Sequence, residues 1–389
     1  MMTAPVIRSD VPGSFAWGVF HERHPKLVQQ VLDALPYGPS ERAAIEELLA
    51  ESIDGVLQPL STSAHDRQQW LEWGGEGVNG RPWGEAPFLW AESYFYRRLL
   101  EATGYFRPGT WQGIDPFAPF KDAELAGPAV DAELVALGDL PSEFTDKRAA
   151  ALLSSALWGN RADLSFQITA EAGGSIASDL VADDSESLWA ELERAQGGRV
   201  GIIADNAGRE LLPDLVLVDH LLASGLAAQV VVYVKPQPYY VSDATMADVL
   251  ATVERLRTAT TAAAGTIGER LWRAMNSGAL VVRTHPFFCA PLPFHDMPAD
   301  LRSEFTGAAM TILKGDLNYR RLVGDQLWPP TTAFTEVASH FPSAVTALRT
   351  LKSDVIVGVD AAVVAQLDSA GTPWRTNGRH AVIQVDLRR

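Results

Sequence analysis

Three residues hold most of the chemical promise of this chain: Asp205, Asn206 and Asp243. Two carboxylates and an amide carbonyl are hard oxygen donors that suit Mg²⁺ or Mn²⁺, with water completing the shell. The one cysteine, Cys289, supplies no soft ligand set, so zinc bound by thiolates is excluded. A cation so held would neutralise phosphoryl oxygens and lower the pKa of a bound water. Glu210 lies one helical turn further on, where it either orders such a water or complements a helix N-terminus. The segment KGDLNYRR, Lys314 to Arg321, offers an opposite wall. Its Lys314 and Arg320 can clamp phosphate, while Asp316, Asn318 and Tyr319 can hydrogen-bond polyol hydroxyls. RTLK adds the cations Arg349 and Lys352 and the hydroxyl of Thr350. Together these describe phosphoryl transfer to water by positioning and charge neutralisation. Each stretch also has a plainer reading, since the acids could cap helices and RTLK could be a surface turn.

Such groups need strands to aim them. Five apolar runs end in polar residues: VGII in Asp205, VVVYV in Lys235, ALVVR in Thr284 and His285, MTIL in Lys314 and Asp316, VTALRT in Leu351 and Lys352. Open α/β sheets present ligands at the carboxyl ends of their strands, where helix N-termini converge. Helices and strands alternate through about Gly358, which predicts an α/β fold with a three-layer α/β/α, Rossmann-like core over 146–389. Residues 1–145 read as a helical N-terminal region. Leu27, Val31, Leu32 and Leu35, then Ile45, Leu48, Leu49 and Ile53, recur at helical spacing about Pro36 and Pro39, and another helix is expected over Phe88 to Glu101. Trp70 to Trp83 reads as an ordered loop, its GGEGVNG run a turn rather than a phosphate loop because no strand precedes it. The final HAVIQVDL reads as an antiparallel edge strand.

With 389 residues and 47% hydrophobic content, the chain can bury a large core. Its formal net charge of -16 repels nucleic acid and anionic membranes. Of six lysines, three stand at the strand ends named above, which points to a local positive site for an anionic small molecule. One cysteine permits no intrachain disulfide and fits a reducing compartment. Neither a signal peptide nor a membrane span is apparent, and a cytoplasmic location is expected. Oligomeric state is not legible.

The motifs DNAGRELLPDL, KPQPYYVSDATMAD, KGDLNYRRLVGDQLW and RTLK resemble the damage-control phosphatase family, formerly domain of unknown function 89, and within it the third subgroup with its Arg-Thr-x-Lys signature. PWGEAPFLWAESYFYRRLL, DPFAPFK and LWGNRADLS extend the resemblance upstream. It implies a metal-dependent phosphatase with an α/β core and helical N-terminal region, acting on sugar phosphates such as fructose 1-phosphate. It also implies metal coordination (Mn, Ni, Co or Mg) by Asp205, Asn206 and Asp243, and substrate contacts from Asp316 to Arg320 and Lys352. Glu92 and Asn160 are expected to line the pocket. Arg209 departs from the family, which usually has an aromatic or apolar residue there.

Two other readings compete. A carboxyl methyltransferase using S-adenosylmethionine would want a glycine-rich turn after the first strand, where this chain has DNAG. A silent sugar-phosphate sensor would have no use for the Asp205, Asn206 and Asp243 set.

Overall fold

The computed structural model describes residues 4–140, 145–159 and 179–388. One seven-stranded sheet organises it: β1 Leu180–Asp183, β2 Gly198–Ile203, β3 Ala227–Val234, β4 Leu280–Thr284, β5 Met310–Lys314, β6 Val345–Thr350 and β7 Ala381–Asp386, in the order β1-β7-β6-β5-β2-β3-β4. The five polar-ended runs are β2 to β6, and they form one parallel block. Chain order reverses at β2, which has β3 on one side and β5 on the other. The crevice beyond the carboxyl ends of β2 and β5 is therefore the topological switch point of the sheet.

Alternate residues of each strand enter different cores, as the two-residue period of a strand demands. Val230, Val232 and Val234 of β3 pack with the helices Leu211–Ala223, Met246–Arg257 and Ala262–Ser277 on one face. Val231 and Tyr233 face the opposite way, into a core shared with Phe20, Trp83 and Phe95 of the N-terminal region. Both faces are covered, so the sheet is the middle of three layers. The helical N-terminal region is one of the outer layers, continuous with the sheet through a single core. Its central helix, Phe88–Ala102, is buried nearly all round.

Two expectations need correcting. β7 is antiparallel to β6 as expected but is not an edge, because the four-residue β1 pairs with its far side. So short a strand leaves too little periodicity to read. Trp70 to Trp83 is built largely of short helical turns, Arg67–Trp70, Leu71–Gly75, Glu76–Val78 and Trp83–Glu85, rather than of an ordered loop without helix. Trp70 and Trp83 are buried in the core, and those anchors make the turns regular. Among the described residues, no helix is long and apolar enough to cross a membrane.

Candidate active site

Asp205 and Asn206 leave the end of β2, and Asp243 returns to meet them on a backbone ladder. Ala244 N donates to Asp205 O at 2.8 Å, Ala207 N donates to Ser242 O at 2.7 Å, and Asn206 and Asp243 form an antiparallel bridge. Lys235 N closes the same turn on Ala244 O at 2.9 Å. The chain reverses through Tyr240, which takes a left-handed φ of 51° that costs a non-glycine residue about 1 kcal/mol. Its phenol is held by Glu92 Oε2 at 3.2 Å and its ring stacks on Tyr96.

Around this ladder the polar side chains interlock. Asn206 Nδ2 donates to Asp205 Oδ2 at 3.1 Å and to Glu210 Oε2 at 3.0 Å, and Ser242 Oγ donates to Asn206 Oδ1 at 2.6 Å. Lys352, from the end of β6, reaches Glu210 Oε1 at 3.4 Å. Lys235 Nζ stands 3.3 Å from Asp243 Oδ2 without hydrogen-bond geometry, so that buried oxygen has no hydrogen-bond partner among the described residues. Gly315, first residue of the helix Gly315–Val323, presses directly against the Asp205 carboxylate.

The electrostatics describe a site short of positive charge. Burial pushes Asp205 well above the usual carboxylate range, Asp243 and Glu210 adding to it against Lys352 and Lys235. Burial likewise lifts Asp243 to about 6, against Lys235 and Lys121. Glu210 goes the other way: burial raises it, but Lys352, the Asn206 amide and Lys314 outweigh burial and hold it low. Lys352 is raised because Glu210, Asp205 and Asp316 overcome its own desolvation.

Several residues expected to touch substrate have other work. Lys314 Nζ is buried 2.6 Å from Asp214 Oδ1 and donates to the Ala156 carbonyl, so it clamps two helices to the sheet rather than a phosphate. Arg320 spends Nε and Nη2 on Asp325 at 2.7 and 3.0 Å and Nη1 on Glu92 at 2.9 Å. Glu92 accepts from both Arg320 and Tyr240, which makes it a buried prop under the turn rather than a pocket wall. Asn318 is fully buried and donates to the carbonyls of Ala204 and Lys314, fastening its helix to the end of β2. Tyr319 is equally buried and donates to Gln384 Oε1 at 2.9 Å, so neither side chain meets a polyol. Arg349 is consumed by Asp316, Ser353 and the Val355 carbonyl. Burial raises Asp316, yet Arg349, Arg320 and Ser353 outweigh it and hold the carboxyl below its usual range. Among the described residues, the hydrogen bonds and ion pair of Asp316 all fall on Oδ1. Thr350 is half-buried where β6 pairs with Ala381. Asn160 lies outside the described residues.

Residues 19–367 match the Damage-control phosphatase ARMT1-like domain. The chain belongs to that family. Among curated relatives it resembles Damage-control phosphatase ARMT1 of Danio rerio, 31% identical over 99% of this chain and 97% of the relative. The proteins of the same name from Mus musculus and Homo sapiens are 31% and 29% identical, each alignment covering 96% of both chains. A crystal structure of a DUF89 family protein from Pyrococcus horikoshii aligns with a TM-score of 0.47 at 16% identity, covering 94% of this chain and 96% of that one. Members of a damage-control phosphatase family are phosphoric monoester hydrolases, and that enzyme class holds for this chain.

In this damage-control phosphatase, the polar cluster does not coincide with the roomier cavities. One of about 740 Å³ is lined by Thr145, Trp158 and His220, one of about 260 Å³ by Val6, Leu89, Trp90 and Asp325, and one of about 250 Å³ by His65, Trp70, Arg97, Tyr239 and Cys289. None of these cavities brings together carboxylates and cations at the switch point, which leaves the acids there as the candidate site. Among the described residues no three His, Cys, Asp or Glu side chains cluster as a metal site would require, so any metal here needs the Asn206 amide as a ligand. Residue types and spacing alone do not single out Ser242, Tyr240 or Gly315 as parts of this site. Lys235 is visible as a strand-end cation. Gly315 carries a signal too, since a glycine at a strand-to-helix junction marks close backbone approach. Arg209 pairs with Glu124 Oε1 at 2.6 Å on the rim.

Proposed function

We propose that this chain is a cytoplasmic, divalent-metal-dependent phosphatase that hydrolyses small sugar phosphates of the fructose 1-phosphate kind, or damaged phosphometabolites. One observation supports this above the others: Asp205 and Asp243 meet at the switch point with Asp243 Oδ2 buried and without a hydrogen bond. Lys235 Nζ stands 3.3 Å from that oxygen, yet burial still holds both Asp205 and Asp243 above their ordinary range, and a further cation would relieve them. The donors fit one, because two carboxylates and an amide are the hard oxygens that Mn²⁺, Co²⁺, Ni²⁺ or Mg²⁺ accept. Asp205, Asn206 and Asp243 would hold the ion, and when bound it supplies charge neutralisation and a more acidic water. The chain's own groups do the remainder. Lys352 is the half-exposed ammonium available to phosphoryl oxygens, and Glu210 keeps it in place. The helix Gly315–Val323 starts against Asp205, so its opening amides would add to anion binding there. Arg349 holds Asp316 by Oδ1 and leaves Oδ2 for a substrate hydroxyl.

The test is phosphate release by metal-stripped protein from a panel of sugar phosphates, with each of the four metals added back. Metal-restored release supports the reading and ranks the substrates. No release from any ester, together with metal-independent binding of S-adenosylmethionine, would move the reading to a protein carboxyl methyltransferase. Tight sugar-phosphate binding without turnover would make it a sensor.

Lys352→Met is expected to lower kcat/KM by about 10- to 100-fold, the worth of a charge-assisted contact to phosphate. Unchanged kinetics would place RTLK outside the pocket. A pH dependence also follows. Asp243 is raised in the metal-free fold, so its stabilising contribution is complete below its unfolded pKa of about 4. That contribution is lost as pH rises through about 6. Protons and metal therefore compete, and the Mn²⁺-induced rise in Tm is expected to be largest above about pH 7 and to shrink as pH falls below about 6. An increment that is flat across this range would remove Asp243 from the metal site.

A further inference from the structure

DPFAPFK ends in a lysine that the chemistry above does not use. Lys121 lies on the helix Ala118–Leu125 of the N-terminal region and is 4% exposed. Its ammonium stands 2.8 Å from Asp115 Oδ2 and 2.9 Å from Asp248 Oδ2, and it donates to the main-chain carbonyl of Asp243 at 3.4 Å. The ammonium donates to two of these oxygens, Asp248 Oδ2 and the Asp243 carbonyl, and pairs by charge with the third, on Asp115. Asp248 Oδ2 in turn accepts from Thr245 Oγ1 at 2.7 Å and from Thr245 N at 2.8 Å, the latter one half of the capping box that starts the helix Met246–Arg257. One cation thus grips both sides of the short segment joining Asp243 to that helix.

The two lysines at Asp243 divide the labour. Lys235, from β3, stands by the carboxylate, whereas Lys121, from the outer layer, holds the carbonyl of the same residue. Packing alone would not select this arrangement, since burying an ammonium costs several kcal/mol and an apolar side chain of similar volume would fill the space. Asp115 is the outer anchor, and its own Oδ1 accepts from Phe117 N at 2.7 Å, which fixes the loop before the helix.

We infer that Lys121 is a positioning residue for the metal site, locking the main chain of Asp243 so that its carboxylate is delivered to Asp205 and Asn206. The inference rests on the proposed metal role of Asp243. It makes the N-terminal layer part of the metal-binding apparatus, although that layer contributes no ligand of its own.

The experiment follows free Mn²⁺ by electron paramagnetic resonance while metal-stripped, full-length protein is titrated, and measures kcat and Tm in parallel. Lys121→Met is expected to weaken Mn²⁺ binding by about 10- to 100-fold, as loss of an outer-shell partner does, while kcat at saturating Mn²⁺ stays within about threefold. Asp115→Asn should move affinity in the same direction by a smaller factor. Arg97→Met serves as the comparison, because it breaks a buried pair, 2.6 and 2.7 Å from Asp66, that among the described residues shares no ion-pair or hydrogen-bond partner with Lys121 or Asp243. It should lower Tm and leave Mn²⁺ affinity within about twofold. Wild-type affinity in Lys121→Met, or an equal loss in Arg97→Met, would overturn the inference. Should Lys121→Met fail to fold, Asp115→Asn decides, and wild-type affinity there overturns it. Wild-type protein that binds no Mn²⁺ would instead refute the metal reading itself, and the inference with it.

Discussion

If the proposed metal site is right, Asp205→Ala is expected to cut metal-dependent phosphate release by at least about a thousandfold, because the variant would lose a ligand and an anion at the reacting centre together. It should nevertheless fold. The substitution deletes one hydrogen bond, from Asn206 Nδ2 at 3.1 Å, and that amide keeps its second bond to Glu210 at 3.0 Å. It also removes an acid that burial and two neighbouring carboxyls have already pushed far from its ordinary range. Taking away such a group relieves the metal-free fold, so the Tm without metal is expected to equal or exceed that of the wild type. Added Mn²⁺ is expected to raise the Tm of the parent and to leave the variant unmoved. Metal-stimulated turnover by Asp205→Ala would end the site assignment.

Gly315→Ala is the subtler change with nearly as large an effect. A Cβ at this position would fall on Oδ2 and Cγ of Asp205 and stand 2.8 Å from its Cβ, far inside any real contact. The carboxylate must therefore retreat by more than the roughly 1 Å that already costs about a hundredfold in rate when a reacting group is misplaced. Gly315 also has a φ of 80°, where a side chain adds a further penalty of about 1 kcal/mol. The expected result is a folded protein with kcat/KM down by about a hundredfold or more and Tm down by a few degrees. Parental kcat in Gly315→Ala would mean that the Asp205 carboxylate can leave its seat without consequence.

Much of this arrangement is legible in the amino-acid sequence, because the strands announce themselves. β2 to β6 are apolar runs stopped by polar residues, and that punctuation locates the carboxyl edge of the sheet, hence Asp205, Asn206 and Lys352. Asp243 is legible for another reason: Lys235 starts a short excursion that cannot travel far before the helix at Met246. Direction is what the sequence does not carry. In the helix Gly315–Val323, every residue from Leu317 to Val323 is buried, so periodicity marks no solvent face. Lys314 and Arg320 look like phosphate ligands by type, and their acids, Asp214, Glu92 and Asp325, lie up to 228 residues away in sequence. Charges become structural or functional according to partners that only the fold supplies. β1 is too short to read, and with it goes the interior position of β7.

The place of β2 at the reversal of strand order has a consequence for how a ribosome delivers this protein. β2 gains β3 and then β4 on one side soon after it is made, but its other edge stays open until Met310–Lys314 has emerged. β1 waits longer still, for the last strand of all. Through that interval Asp205, Asp243 and Lys121 are already present, while Gly315, Asp316 and Lys352 are not. A chain halted before β5 would present an unpaired, apolar strand edge of the kind that captures other chains. Such a fragment is expected to aggregate rather than persist as a smaller metal-binding domain, and half of this enzyme is not half an enzyme.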